Sequence, residues 1–470
     1  MNGPATSPRA VPPFSVLVIT LVALLGHALL WGGQPVAAWV LPTALVLAAC
    51  LRRPQLPRFD GWLPTGFAIA GTLAIAYGST ATMDRSWDGF ATWSLTARHL
   101  AAGATLDHPY FANGAVYQAV RGYPLLQPIL LQQASVWLGE SGGRLLFPLL
   151  WVLLLMAVQA PLKASGVPPR HRLLAVTGMA LVPMFTEPGH GSAESGFAEL
   201  LLALLLTHAA AAIVLRQSWL ALCVGLCLPL VKHEGSLHVA VLVVAATLGG
   251  VSRVAGAVAA GAAAALLGWV PMQQRLSHAA AASSWVVLGG ALVPFVLVLW
   301  ALAVRACRSW WQIFAVLLAA PAAGCGIVWQ LPTALVDVAA AQFSSLPTWG
   351  RLGQVVGTLA EHLVWMRKFG LSFVVVVVVA AWVLRERRRP GSRWPALAPV
   401  FAYLVAWLTV VFLFLVALPA AQLPLFLREG TGRYLSQVLG VVWLAIGIGL
   451  ADPGLVRREV GAVEATPTKP

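Results

Sequence analysis

Apolar runs of about 15–25 residues follow one another along most of this chain, and that is the length a helix needs to cross about 30 Å of hydrocarbon. Window hydropathy places about fourteen of them, roughly at 13–31, 37–51, 61–80, 145–162, 172–186, 195–214, 217–231, 236–252, 254–271, 285–304, 309–330, 369–384, 395–418 and 434–451. The expected fold is therefore all-α. It is a polytopic transmembrane bundle forming one domain over residues 1–452, with amphipathic helices in its external loops and a short, disordered cytoplasmic tail at 453–470.

Composition excludes a soluble domain of this size: 59% of the 470 residues are hydrophobic and 10% are charged. A net charge of +14 would suit a nucleic-acid partner if it lay on one soluble face. Instead the basic residues fall in short loops between spans, as the positive-inside rule requires, so membrane lipid and not nucleic acid is the expected partner. With the N-terminus in the cytoplasm, 19 of the 30 Lys and Arg lie inside, among them the cluster Arg385, Arg387, Arg388, Arg389 and Arg393. The expected site of residence is the plasma (inner) membrane, with both termini cytoplasmic. The first run, about Pro13 to Trp31, is long for a signal peptide and reads as an uncleaved anchor. The five cysteines (Cys50, Cys223, Cys227, Cys307, Cys325) have no metal or disulfide spacing and read as buried free thiols.

The acids divide the other way, with 11 of 16 outside. Three external loops are substantial, at about 81–144, 331–368 and 419–433. The stretch Met83–Glu140 is too aromatic and apolar for disorder and too long for a simple connection. It reads as the wall of an active site. Within it, Tyr123–Gly139 is apolar but broken by Pro124, Pro128, Gln127, Gln132 and Gln133, which suggests a helix lying in or dipping into the outer interface.

Ionisable groups near membrane depth are functional candidates by default, because burying an ion in lipid is costly. Asp84 and Asp88 follow the third span. Glu187, His190 and Glu194 occupy a corner, and Glu199 lies about one turn into the next span. Lys232, His233 and Glu234 are consecutive at another external end, and Arg433 opens the last span. If the helices bundle, these ends converge on one outward-facing cavity with carboxylates suited to a base or a divalent cation and cations suited to a phosphate. Each has a plainer reading. Asp88 could cap the helix that follows, with Thr82 or Ser86 better placed, and Glu199 could pair with Lys232 as bundle glue. Lys232–Glu234 could be a solvated turn. His190 lacks an HxxH partner, and Trp87, Phe90 and Trp93 could be an interfacial belt.

The order of these short runs is more specific than any one of them. Trp87-Asp88-Gly89-Phe90-Ala91-Thr92-Trp93-Ser94-Leu95-Thr96-Ala97-Arg98 resembles the first external loop of GT-C-class membrane glycosyltransferases, the class of protein O-mannosyltransferases and aminoarabinose transferases. There an Asp after a span precedes an amphipathic W-x-x-K-A helix. Gly122-Tyr123-Pro124-Leu125-Leu126-Gln127-Pro128 is similar to the YPLL-x-P stretch of bacterial members. Ser195-Gly196-Phe197-Ala198-Glu199-Leu200 is similar to G-x-A-D-L, Val231-Lys232-His233-Glu234-Gly235 to K-x-E-G, and Thr431-Gly432-Arg433-Tyr434-Leu435 to T-x-R-Y-L. Thr96 stands where Lys is common, Glu199 where Asp is usual, and Gly122 where an acid is commoner.

The resemblance implies an inverting transferase that takes a sugar from a polyprenyl-phosphate-linked donor to a glycan, lipid or protein acceptor on the external face. It implies Asp88 as general base and Arg433 and Lys232 on the donor phosphate. Glu199, Glu194, Glu187, Glu234 and Asp84 would orient acceptor or cation. A divalent cation is used by some members of the class. The loop 331–368, with Trp349, Arg351, Glu361, Arg367 and Lys368, would be a moving cover over the lipid donor. The competing expectation is a transporter or flippase of a lipid-linked glycan or similar amphipathic anion. Against it, the acids gather on one face, and no repeat or pair of broken helices in two halves is visible. A lipid-linked glycan polymerase or ligase would want a large external loop rich in Arg and His, and loop 81–144 is acidic and aromatic.

Overall fold

The computed structural model describes residues 11–54, 58–82, 88–112, 123–186, 196, 198–277, 284–306, 349–364, 366–389, 392–418 and 422–451. Among them there is no strand. The helices are α1 Phe14–Trp31, α2 Val40–Leu51, α3 Trp62–Thr82, α4 Leu95–Ala101, α5 Leu126–Gly143, α6 Leu146–Ala164 and α7 Pro169–Ala180. Then come α8 Glu199–Leu215, α9 Ser218–Val231, α10 His233–Leu248, α11 Ser252–Ser277 and α12 Ser284–Ala306. The last are α13 Trp349–Val364, α14 Ser372–Arg385, α15 Trp394–Ala417, α16 Thr431–Ser436 and α17 Leu439–Leu450. Every expected span thus holds helix except 309–330, which lies outside the described residues, as does the tail 453–470.

Of the fourteen crossings expected, four helices among the described residues, α1, α6, α11 and α15, are long and apolar enough to cross a membrane, and a fifth crossing is made if the pair Leu423–Ser436 and Leu439–Leu450, bent by 48°, is one broken span. Length sets the other apolar helices apart: at about 1.5 Å per residue, α2 (12 residues) and α9 (14 residues) are shorter than about 30 Å.

Helices in lipid gain little from hiding apolar surface, so close approach between small residues holds them together. The tightest pair is α9 on α11. A Cβ on Gly225 would stand 2.3 Å from the Val258 carbonyl oxygen, and one on Gly261 2.1 Å from that of Leu222. Cys227 is buried and Cys223 partly buried in this packing, whereas Cys50 is exposed on α2, which corrects the expectation of a buried thiol there.

Helix α5 resolves the Tyr123–Gly139 stretch. Gln132 Nε2 donates to the Val36 carbonyl at 3.0 Å and Gln133 Nε2 to that of Ala37 at 3.0 Å, while Leu41 N–H donates to Gln133 Oε1 at 2.9 Å. Trp137 Nε1 reaches the Ala38 carbonyl. Just past the helix, Arg144 donates to the Thr80 carbonyl at the end of α3. At its other end Gln127 Nε2 donates to the Gly196 carbonyl, just before α8. All of these partners lie at one end of the bundle, so α5 runs across that end as a crossbeam. Its amides are buried: those of Gln132 and Gln133 satisfy the backbone of the α1–α2 corner, and that of Gln127 the backbone just before α8. Gly139 makes the kink, with φ 75°, which an L side chain rarely adopts.

Candidate functional site at one end of the bundle

The same end carries the chain's most deeply buried charges. Glu199 is the first residue of α8, a turn earlier than its expected place inside the span. Its Oε1 accepts from Lys232 Nζ at 3.0 Å and from Arg433 Nε at 3.0 Å. Lys232 Nζ also pairs with Glu234 Oε1 at 3.0 Å. The Glu199 side chain is 1% exposed and that of Lys232 4%, against 21% for Arg433. Burial alone pulls an ammonium down, but Glu199 and Glu234 outweigh it, so Lys232 is held above the usual lysine range and stays charged. Each carboxylate keeps one buried oxygen, Glu199 Oε2 and Glu234 Oε2, with no hydrogen-bond partner.

Local sequence explains why Lys232 points inward. It is the single extended residue (φ −161°, ψ 159°) between α9 and α10, so its N–H cannot continue the α9 ladder. Pro229 in the last turn of α9 weakens that ladder further. The first turn of α10 then folds back onto the freed end, where a Cβ on Gly235 would sit 1.9 Å from the Leu228 carbonyl oxygen. The run Lys-His-Glu-Gly therefore needs its glycine for close backbone approach. It also presents a cation and an acid two positions apart.

Arg433 is set by a second irregularity. Residues Phe426–Gly430 form a π-helical turn that leads into α16. The other π-helical turn among the described residues, Asp88–Ser94, leads into α4. Such turns are rare and frequent at functional sites, and both feed this end. An aromatic path joins the second turn to the ion cluster. Trp93, 2% exposed, meets Tyr123 edge to face at 5.7 Å, and Tyr123 packs on His233 at 4.8 Å. Trp93 Nε1 and Thr92 Oγ1 are buried without a partner. Thr96, where the resembled helix carries Lys, is buried and donates to the Thr92 carbonyl at 2.7 Å, with its hydroxyl 3.0 Å from that of Tyr110.

Of the residues singled out from sequence, Glu199, Lys232, Glu234 and Arg433 come together. The backbone of Asp88 opens the π-helical turn one turn before Trp93. Asp84, Glu187, Glu194 and His190 lie outside the described residues. Lys368, expected only as part of a cover, reaches the residue before Arg433: a Cβ on Gly432 would be 3.3 Å from its Nζ. No group of three His, Cys, Asp or Glu side chains gathers as a metal site among the described residues. Compared with family models, curated proteins and solved structures, the chain matches none.

Proposed function

We propose that the chain is an integral-membrane glycosyltransferase that moves a sugar from a polyprenyl-phosphate-linked donor to an acceptor hydroxyl on the non-cytoplasmic side, with inversion. One observation carries the reading. Lys232, from the joint between α9 and α10, and Arg433, from α16, share the Glu199 carboxylate at 3.0 Å, and an aromatic path leads from them to the turn opened by Asp88. A donor whose tail lies in the bilayer presents its phosphate at the headgroup level, and a site at helix ends suits a ligand at that depth.

In this reading Asp88 takes the proton of the acceptor hydroxyl as its oxygen bonds to the anomeric carbon. The bond from that carbon to the phosphate oxygen breaks, and its electron pair leaves with the polyprenyl phosphate. Arg433, the more exposed cation, and Lys368 beside it stabilise the departing charge. Lys232 is already matched by two carboxylates, so its part is to hold Glu199 and Glu234 in place. Their unpaired oxygens are acceptors for a substrate hydroxyl or a cation.

The test is sugar transfer from a polyprenyl-phosphate donor by the purified full chain, wild type against Asp88→Asn. Loss of general-base catalysis should lower transfer by about 10²–10⁴-fold. Transfer that survives unchanged in Asp88→Asn removes Asp88 from the mechanism. Movement of a lipid-linked glycan across the bilayer without bond exchange favours the transporter.

A further inference from the structure

One buried titratable side chain plays no part in that chemistry. His238 lies one turn beyond Glu234 on α10 and is 0% exposed. Its Nε2 meets Gln437 Oε1 at 2.8 Å, its Nδ1 meets the Tyr403 hydroxyl at 2.8 Å, and its ring lies 3.6 Å from that of Trp407. Because Gln437 Oε1 can only accept, Nε2 carries the proton and Nδ1 accepts from Tyr403. Both ring nitrogens are used.

The partners land on one short piece of backbone. Between α16 and α17 the ladder breaks: Val438 N–H bonds to the Leu435 carbonyl at 3.3 Å, three residues back. The Tyr434 carbonyl instead accepts from Trp407 Nε1 at 3.1 Å. Gln437, at the break itself, is held by His238. Tyr434 directly follows Arg433, and the Arg433 carbonyl is taken by Ser436 Oγ at 2.7 Å. A pairing of α10 with α15 would need only the bond to Tyr403. The bond to Gln437 and the stack on Trp407 both serve the break.

We propose that His238 is a positioning residue: it locks the break between α16 and α17, and that lock sets the Arg433 guanidinium against Glu199. The lock is a property of the fold. Only its consequence for a phosphate rests on the transferase reading.

The experiment compares His238→Gln, His238→Asn and His238→Leu in the full chain in lipid nanodiscs. A glutamine amide stands where Nε2 stands and keeps the bond to Gln437. An asparagine amide stands where Nδ1 stands and keeps only Tyr403. Amide hydrogen exchange of residues 434–438 should rise about tenfold in the Asn and Leu variants and stay within about twofold of wild type in the Gln variant. Gln437→Leu should match His238→Leu, and the double variant should add nothing, as for one shared interaction. Equal protection in the Gln and Asn variants, or 434–438 unchanged while α10 and α15 loosen, would overturn the proposal. If His238→Leu does not fold, Gln437→Leu carries the same test. Binding of polyprenyl phosphate to the same nanodiscs gives the second readout. The Asn variant should lose affinity as Arg433→Ala does, and the Gln variant should not. Wild type that binds no polyprenyl phosphate would defeat the transferase reading and leave the exchange result to decide the lock. Binding by wild type with no loss in the Asn variant would overturn the setting of Arg433 by the lock and leave the transferase reading standing.

Discussion

The two ends of this bundle handle charge in opposite ways. At the end away from the site, cations tie helix ends to segments distant in sequence. Arg393 donates to the Ile448 and Gly449 carbonyls at the close of α17, Arg52, just past α2, donates to the Val11 and Pro12 carbonyls ahead of α1, and Arg172, in the first turn of α7, pairs with the partly exposed Asp60 at 2.5 Å. Arg393 satisfies orphan carbonyls at the negative end of the α17 dipole, and the other two fasten neighbouring segments. At the site end, Glu199, Lys232 and Glu234 meet buried, Arg433 joins them from a partly exposed position, and two carboxylate oxygens have no partner among the described residues. A buried ion pair is weak evidence for stability, since well-packed apolar residues often serve as well. The contrast teaches that charge at the first end fastens segments together, whereas at the second it is gathered and buried at a density that fastening does not require.

The sharpest way to break this comparison is to remove Glu199. Glu199→Leu leaves Lys232 buried and unmatched on one side and should cost about 3–5 kcal/mol in reversible unfolding. Glu199→Leu combined with Lys232→Met and Glu234→Gln, which leaves no buried charge without its counter-ion in the Lys232 pairings, should recover most of that loss while transfer stays abolished. A triple variant as unstable as the single one would mean that the cluster is structural. Next in size is Gly235→Ala. Its methyl meets backbone at Leu228 and not a flexible side chain, so overpacking of about 1–3 kcal/mol is expected, read as a lower melting temperature with reduced transfer.

At the opposite end Arg172→Ala should cost about 1 kcal/mol, since its partner is partly solvated, and transfer by the folded fraction should be unchanged. A loss of transfer larger than the loss of folded protein would erase the division between the ends. The smallest effect is expected at the surface pair Arg98–Glu140, where Glu140 is 58% exposed. Arg98→Ala should stay within about 1 kcal/mol.

Much of this was legible in the chain, and the illegible part has a common cause. Apolar runs placed the helices to within a few residues, because hydropathy and helix share a local signal. The number of crossings was not legible, since apolar runs of about 15 residues such as 37–51 and 217–231 place a helix without saying whether it is long enough to span. The joint at Lys232 could be read, because Pro229, Lys232 and Gly235 are neighbours in sequence. Gln127, Gln132 and Gln133 read as amides at an interface, and only their partners at Val36, Ala37 and Gly196 show them buried. The His238 lock joins residues 165 and 199 positions apart, and no local pattern marks it.

The central claim is that the turn opened by Asp88 faces the Glu199–Lys232–Arg433 cluster at one end of the bundle. Cross-linking tests it most directly, with Asp88→Cys paired with Arg433→Cys, or with Arg172→Cys, in a chain whose own cysteines are replaced. The account predicts an intramolecular product from a short bis-maleimide for 88/433 and none for 88/172. A product from 88/172, with none from 88/433, would contradict it.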